Sequence, residues 1–189
     1  MLIIGITGTL SAGKGTIAKF LVEKKGFRHY SVREFLVEEI KKRQMPVNRD
    51  SMVIVGNDLR KKNSPGYIAE TLFERAKNSG KNCVIESLRT AGEITTLRNK
   101  GKFYLFAVDA DPMVRYERGS ERKSSTDKIS FQEFIDNEKI EMTSDDPNKQ
   151  NLSKCISMAD YVFENNGTFE ELYNKVEDVL NGIREKERV

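Results

Sequence analysis

Leu2-Ile3-Ile4-Gly5-Ile6-Thr7-Gly8-Thr9-Leu10-Ser11-Ala12-Gly13-Lys14-Gly15-Thr16 stands at the head of the chain, and its reading decides the fold. Leu2 to Thr7 is an uninterrupted apolar run, the pattern of a parallel strand covered by helices on both faces. Gly8 to Lys14 then carries the spacing G-x-x-x-x-G-K. Glycines at those places let the backbone curl until its N–H groups point inward at phosphate oxygens. From Thr16 to Lys25 the apolar residues Ile17, Phe20 and Leu21 have helical spacing, and Gly26 is a stop signal. The N-terminal end of that helix adds positive potential at the same point. Gly8, Ser11, Ala12, Gly13, Lys14, Gly15 and Thr16 are therefore expected to cradle the phosphates of ATP, with Lys14 reaching the outer ones and the Thr16 hydroxyl facing phosphate or Mg2+. The plainer alternative is a glycine-rich turn with a surface lysine. The strand leading in and the helix leading out favour the phosphate-binding loop.

Outward from this segment, strands and helices alternate. Phe27–Ser31 reads as a short strand, Val32–Lys42 and Asn48–Lys62 as helices. Ser64-Pro65 is a helix start running to Lys77, since serine caps and proline suits the first turn. Asn82–Glu86 is a buried strand, Ala91–Asn99 a helix and Phe103–Val108 another strand. A helix opens at Asp111-Pro112 and runs to about Glu121. Ser120–Ser130 is polar and reads as a mobile loop. Phe131–Met142 and Asn151–Met158 are helical, Asp160–Phe163 is a last strand, and Thr168–Glu185 a final helix. Such alternation predicts a parallel α/β sheet.

The chain has 189 residues, which suits one domain. Its formal net charge of +3 gives no charge argument for nucleic-acid binding. The two cysteines, Cys83 and Cys155, lie far apart among apolar residues and read as core residues. With one histidine, His29, neither a histidine metal cluster nor a Ser-His-Asp triad is expected. No run approaches the roughly 18 apolar residues of a membrane span, so a cytoplasmic protein without membrane partners is expected. The reading leaves a homodimer open.

The ending Lys14-Gly15-Thr16 puts a glycine between lysine and hydroxyl, and in this it resembles adenylate kinase and related P-loop nucleoside monophosphate kinases. The resemblance implies a three-layer P-loop NTPase fold: a five-stranded parallel sheet with helices on both faces, an acceptor-binding subdomain (about 31–80) and an arginine-bearing lid (about 119–130), all within one domain over 1–189. Arg118 and Arg122, one helical turn apart, resemble the Arg-x-x-x-Arg that opens such lids. Arg115 lies on roughly the same side. Glu86-Ser87-Leu88-Arg89-Thr90 resembles the segment that follows the third strand in those kinases. By that resemblance Glu86 holds hydrated Mg2+ and Arg89 holds the acceptor phosphate. Lys14, Arg89, Arg118 and Arg122 are thus the expected catalytic cations.

The chain departs from the adenylate kinases after its second strand. Where they carry the arginine that grips the monophosphate, this sequence has Val37, and Arg33 stands one helical turn earlier. Arg60, in Asn57-Asp58-Leu59-Arg60, adds a second basic group. Arg33, Arg60 and Arg89 are the expected acceptor-binding residues. With Asp160-Tyr161 and Asn165-Asn166-Gly167-Thr168, the whole length is similar to archaeal adenylate kinase-related proteins and to the kinase-like domains ahead of some deoxycytidylate deaminases.

The expected activity is ATP-dependent phosphoryl transfer to a nucleoside or deoxynucleoside monophosphate, a small-molecule partner. Dephospho-CoA kinase is an alternative, although that family's Asp-Ala-Asp after the second strand is missing and Asp109-Ala110-Asp111 lies after the fourth. A regulatory module that binds nucleotide without turnover is the other, favoured by Val37. Glu138, Glu141, Asp145 and Asp146 read first as a solvated acidic face, and second as a group orienting lid arginines or a substrate sugar. Gln150-Asn151 reads as a helix cap or a reader of a base edge. Phe131, Phe134 and Ile135 read as packing residues.

Overall fold

The computed structural model describes residues 1–121 and 129–186. Five strands, β1 (Leu2–Gly8), β2 (Arg28–Ser31), β3 (Cys83–Glu86), β4 (Lys102–Asp109) and β5 (Tyr161–Glu164), form one parallel sheet in the order β2-β3-β1-β4-β5. The helices are α1 (Lys14–Lys25), α2 (Val32–Lys42), α3 (Arg49–Lys62), α4 (Tyr67–Lys77), α5 (Ala91–Arg98), α6 (Pro112–Glu121), α7 (Phe131–Met142), α8 (Leu152–Ser157) and α9 (Phe169–Lys186).

The apolar runs explain both layers. Successive side chains on a strand point to opposite faces. Ile4 and Ile6 of β1, Val84 of β3 and Phe106 and Val108 of β4 therefore meet α1 and α9 through Ile17, Leu21, Leu172, Val176, Leu180 and Ile183. Ile3, Cys83, Ile85 and Leu105 face the other way, against Phe35, Ile40, Val55, Ile68, Leu72, Ile94 and Cys155. Burial pushes the Cys83 thiol up to about 11 and that of Cys155 up to about 12, which makes both inert core groups.

Chain order reverses direction across the sheet at β1, with β3 on one side and β4 on the other. In open parallel sheets ligands bind beyond the carboxyl ends of the strands at such a point. Ile6 of β1 stands in register with Glu86 of β3 and with Phe106 of β4. The residues after Thr7, after Glu86 and after Val108 are thereby delivered to one edge.

Most expected boundaries shift by one residue, and two helix starts move further. α1 begins at Lys14, because the N–H groups of Thr16 and Ile17 both donate to Gly13 O, at 3.0 and 3.1 Å. α4 begins at Tyr67, because Tyr67 N donates to Ser64 O at 3.0 Å and Ser64-Pro65-Gly66 forms a turn ahead of the helix. α7 has the expected bounds, set by a capping box between Ser130 and Glu133. Between α6 and α7, the expected lid loop falls mostly on 122–128, outside the described residues. No described helix is long and apolar enough to cross a membrane.

Candidate active site

The loop between β1 and α1 has the backbone that its glycines predict. Gly8 has φ 136° and Gly13 φ 115°, values that L side chains rarely adopt. Ser11 takes φ 61° between them. A Cβ at Gly8 would sit 2.0 Å from Val108 O, and one at Gly13 2.4 Å from Asn165 Nδ2. Gly13 is also the N-cap of α1 with no side chain capping it, so the first N–H groups of the helix are left for the loop. Lys14 is buried and lies across the loop, its Nζ donating to Gly8 O at 2.9 Å and Thr9 O at 2.6 Å.

Asn165, in the turn after β5, braces this loop from behind. It is buried, and its Nδ2 donates to Ala12 O at 2.8 Å. Arg118 on α6 fastens to the same turn, donating to Asn165 O at 2.7 Å and Gly167 O at 3.2 Å. The arginine expected to work beside the phosphates thus stands next to the segment that holds Ala12. Arg122 lies outside the described residues.

Arg115, one turn before Gly119, is buried and ties α6 to α7 and to the loop. Its Nε donates to Ala110 O at 2.8 Å, and its guanidinium grips Glu138 on α7 through both Nη groups. Asp109, at the end of β4, accepts from Thr9 Oγ1 at 2.5 Å and lies 3.4 Å from Arg115 Nε.

Glu86 closes β3 on the other side of the loop. A Cβ on Gly15 would come within 3.9 Å of Glu86 Oε1, so this carboxylate stands over the first turn of α1. His29 of β2 pairs with Glu86 Oε2 at 2.9 Å. That hydrogen bond raises the imidazole above its ordinary value, against the opposing effect of burial. A cleft of about 250 Å³ lined by Gly15, Ala18, Lys19, His29 and Glu86 lies alongside. Among the described residues no three His, Cys, Asp or Glu side chains gather, and the oxygen donors that the sequence offers for a metal are the Thr16 hydroxyl and the Glu86 carboxylate over the first turn of α1. The glycine cradle, Lys14 and these two oxygen donors fit a triphosphate with a hard cation.

Beyond Glu86 the chain turns at Ser87, which has φ 72°, and Ser87 N and Leu88 N both donate to Ile6 O. This sharp turn presents Arg89. Its Nη1 meets Glu141 Oε2 of α7 and donates to Gln150 Oε1 at 2.7 Å, while Arg49 Nη2 of α3 reaches Glu141 Oε1 at 2.7 Å. Burial pushes the Glu141 carboxyl up, but the charges of Arg89 and Arg49 outweigh it and hold the group below the usual range.

Several expectations are corrected here. Glu138 and Glu141 do not form a solvated face, since each is closed on arginine. Gln150 accepts from Arg89, while Asn151 caps α8 as one expected reading had it, accepting from Lys154 N. Arg60 is 2 % exposed and paired to Glu93 Oε1 at 2.9 Å, inside the protein rather than facing a ligand. Glu93 also accepts from the N–H of Arg89 and of Thr90. Arg33 is exposed, and its side chain makes no hydrogen bond among the described residues. Phe134 is a packing residue as expected, buried and edge-on to Tyr116.

Fold and loop together define a P-loop protein of kinase-like architecture. The chain belongs to the AAA domain family, whose sequence model matches residues 4–144, and to the UPF0200 proteins. It is 30% identical over 188 residues to the UPF0200 protein of Pyrococcus horikoshii, covering 96% of this chain and 97% of that one. The UPF0200 protein of Pyrococcus abyssi is 28% identical with the same coverage. Among solved structures, a gluconokinase from Sinorhizobium meliloti superposes with a TM-score of 0.63 at 14% identity, covering 98% of this chain and 94% of its own. The shikimate kinase of Aquifex aeolicus gives 0.52 at 18%, covering 97% and 98%. At these identities the likeness is one of fold.

Proposed function

We propose that this protein is an ATP-dependent phosphotransferase whose acceptor is a nucleoside or deoxynucleoside monophosphate. One observation carries the reading: the glycine cradle with Lys14 and the Arg89 turn emerge from register-paired strands β1 and β3. A triphosphate site and a second anion site therefore share one edge of the sheet.

Phosphoryl transfer asks for positioning and positive charge more than for covalent chemistry. Backbone N–H groups of Gly13 to Thr16 bind the donor phosphates, and the Lys14 ammonium exchanges its loop carbonyl partners for phosphate oxygens. Magnesium bound with the triphosphate would screen the charge that builds between its outer phosphates. Thr16 and Glu86 are the residues that would hold it. Arg118, fixed to the turn that braces Ala12, adds charge from the lid side. Arg89 holds the acceptor's phosphate, whose oxygen is already ionised and needs no general base.

The test is ADP release from ATP–Mg with a panel of ribo- and deoxyribonucleoside monophosphates, dephospho-CoA, gluconate and shikimate. Stimulation by one nucleoside monophosphate supports the reading and names the acceptor. Stimulation only by dephospho-CoA or a sugar acid transfers the site to that acceptor, and nucleotide binding without turnover marks a regulatory module. Lys14→Ala is expected to leave the fold intact and reduce transfer about a hundredfold or more. Unchanged turnover would remove the loop from the mechanism.

A further inference from the structure

We propose that Arg49, at the start of α3, is the second acceptor-binding cation, and that Glu141 is a positioning residue holding Arg49 and Arg89 as a pair. This rests on the acceptor site proposed above and adds a specificity-determining residue that the sequence pattern did not mark. In the related kinases the corresponding charge comes from the helix after the second strand, where this chain has Val37. Arg33 on that helix is exposed, and among the described residues no contact ties it to Arg89.

Three guanidiniums, of Arg49, Arg60 and Arg89, meet two carboxylates, of Glu93 and Glu141. Arg60 and Glu93 neutralise each other in the core, with side-chain exposures of 2% and 0%. Two cations then share Glu141, whose side chain is 9% exposed, and the further partner of Arg89 is the neutral amide of Gln150. Among the described residues the Arg49–Glu141–Arg89 cluster thus carries one more positive than negative charge, and its arginines keep an open side where an anion can complete it.

The hydrogen-bond count agrees. A guanidinium carries five N–H donors. Among the described residues Arg49 uses one bond, to Glu141, and the Arg89 guanidinium uses contacts to Glu141 and Gln150. The two side chains remain 33% and 21% exposed, so they are partly open to a ligand. Two planar forks fixed on one carboxylate suit a phosphate dianion, which accepts bidentate bonds. Three elements meet at this point: α3 brings Arg49, the turn after β3 brings Arg89, and α7 brings Glu141. Phosphate binding would thus tie the acceptor segment to the helix that follows the lid.

The experiment measures binding rather than turnover. Calorimetric titration of the nucleoside monophosphate panel is made on the full chain, with and without saturating ADP–Mg, for wild type, Arg49→Met and Arg49→Lys. ADP–Mg affinity and thermal unfolding are recorded for each. Expected is a monophosphate affinity lowered about tenfold or more in Arg49→Met, partly restored in Arg49→Lys, with ADP–Mg affinity unchanged. Glu141→Gln should weaken monophosphate binding less than Arg49→Met, since it frees the pair without removing a cation. Monophosphate affinity unchanged in Arg49→Met would overturn the proposal and leave Arg49 a clasp for α7. So would a wild type that binds ADP–Mg but none of the panel, an outcome that spares the loop assignment. Failure to bind ADP–Mg would sink the proposed function, while the titrations without it still decide the arginine pair.

Discussion

Arg60 and Glu93 offer the sharpest test of the structure, because the sequence points Arg60 toward a ligand and the fold buries it. Its Nε and Nη2 lie 3.2 and 2.9 Å from Glu93 Oε1, with the two side chains 2% and 0% exposed. Removing one partner from such a pair leaves an unpaired charge in the core and costs about 3–5 kcal/mol. For a 189-residue chain the unfolding entropy is about 0.4 kcal/mol/K, so Arg60→Met should lower Tm by about 10 °C. The double variant Arg60→Met/Glu93→Leu should regain most of this, since an apolar pair of similar volume replaces a buried ion pair at little cost. The remainder should be about 1 kcal/mol, because Glu93 completes the capping box with Thr90. Calorimetric unfolding of both single variants and the double gives the coupling directly. A Tm within 2 °C of wild type for Arg60→Met, with weakened acceptor binding, would refute the reasoning and return Arg60 to the ligand.

Gly13→Ala places a methyl 2.4 Å from Asn165 Nδ2 at a φ of 115° and should abolish measurable ATP binding, whereas Gly182→Ala, with open space around it in α9, should stabilise by about 0.5–1 kcal/mol. Equal effects of the two in denaturant unfolding and nucleotide titration would contradict the loop geometry. Glu141 is held below the ordinary glutamate value of 4.5, so its contribution is complete above pH 4.5 and fades as pH falls through the folded value. The stability gap between wild type and Glu141→Gln should therefore be constant above pH 4.5 and narrow below it. A gap that widens on acidification would show that Arg49 and Arg89 do not govern this carboxylate.

Much of the fold was legible because its signals are local. The run Leu2 to Thr7 is apolar on both faces, which only a covered central strand requires, and Ser130 with Glu133 fixes the start of α7 through bonds three residues apart. Phe131 and Phe134 were readable as packing residues, and both rings lie edge-on to Tyr116. Helix starts slipped where a turn competed, as at Ser64-Pro65-Gly66, whose closing bond to Tyr67 N takes the place of the first helical turn. Asn165 was legible in the sequence as part of a turn and of a resemblance, but with no role of its own. Its bond to Ala12 spans 153 positions, and no local pattern encodes it.

The charged residues behaved differently from the apolar ones. An arginine or glutamate on a helix looks the same in sequence whether it meets water, a partner or a ligand, because its fate depends on which element packs opposite. Arg60 lost its expected role for that reason, and Glu138 and Glu141 turned to arginines for the same one. By itself the sequence determined the phosphate loop, the alternation of strands and helices and the parallel sheet, since these follow from bonds and burial within a few residues. Only the tertiary structure decided which charged groups meet Arg89, because Arg49, Arg89 and Glu141 come from three separate elements. Their meeting is fixed by the packing of helices around the sheet rather than by any spacing along the chain.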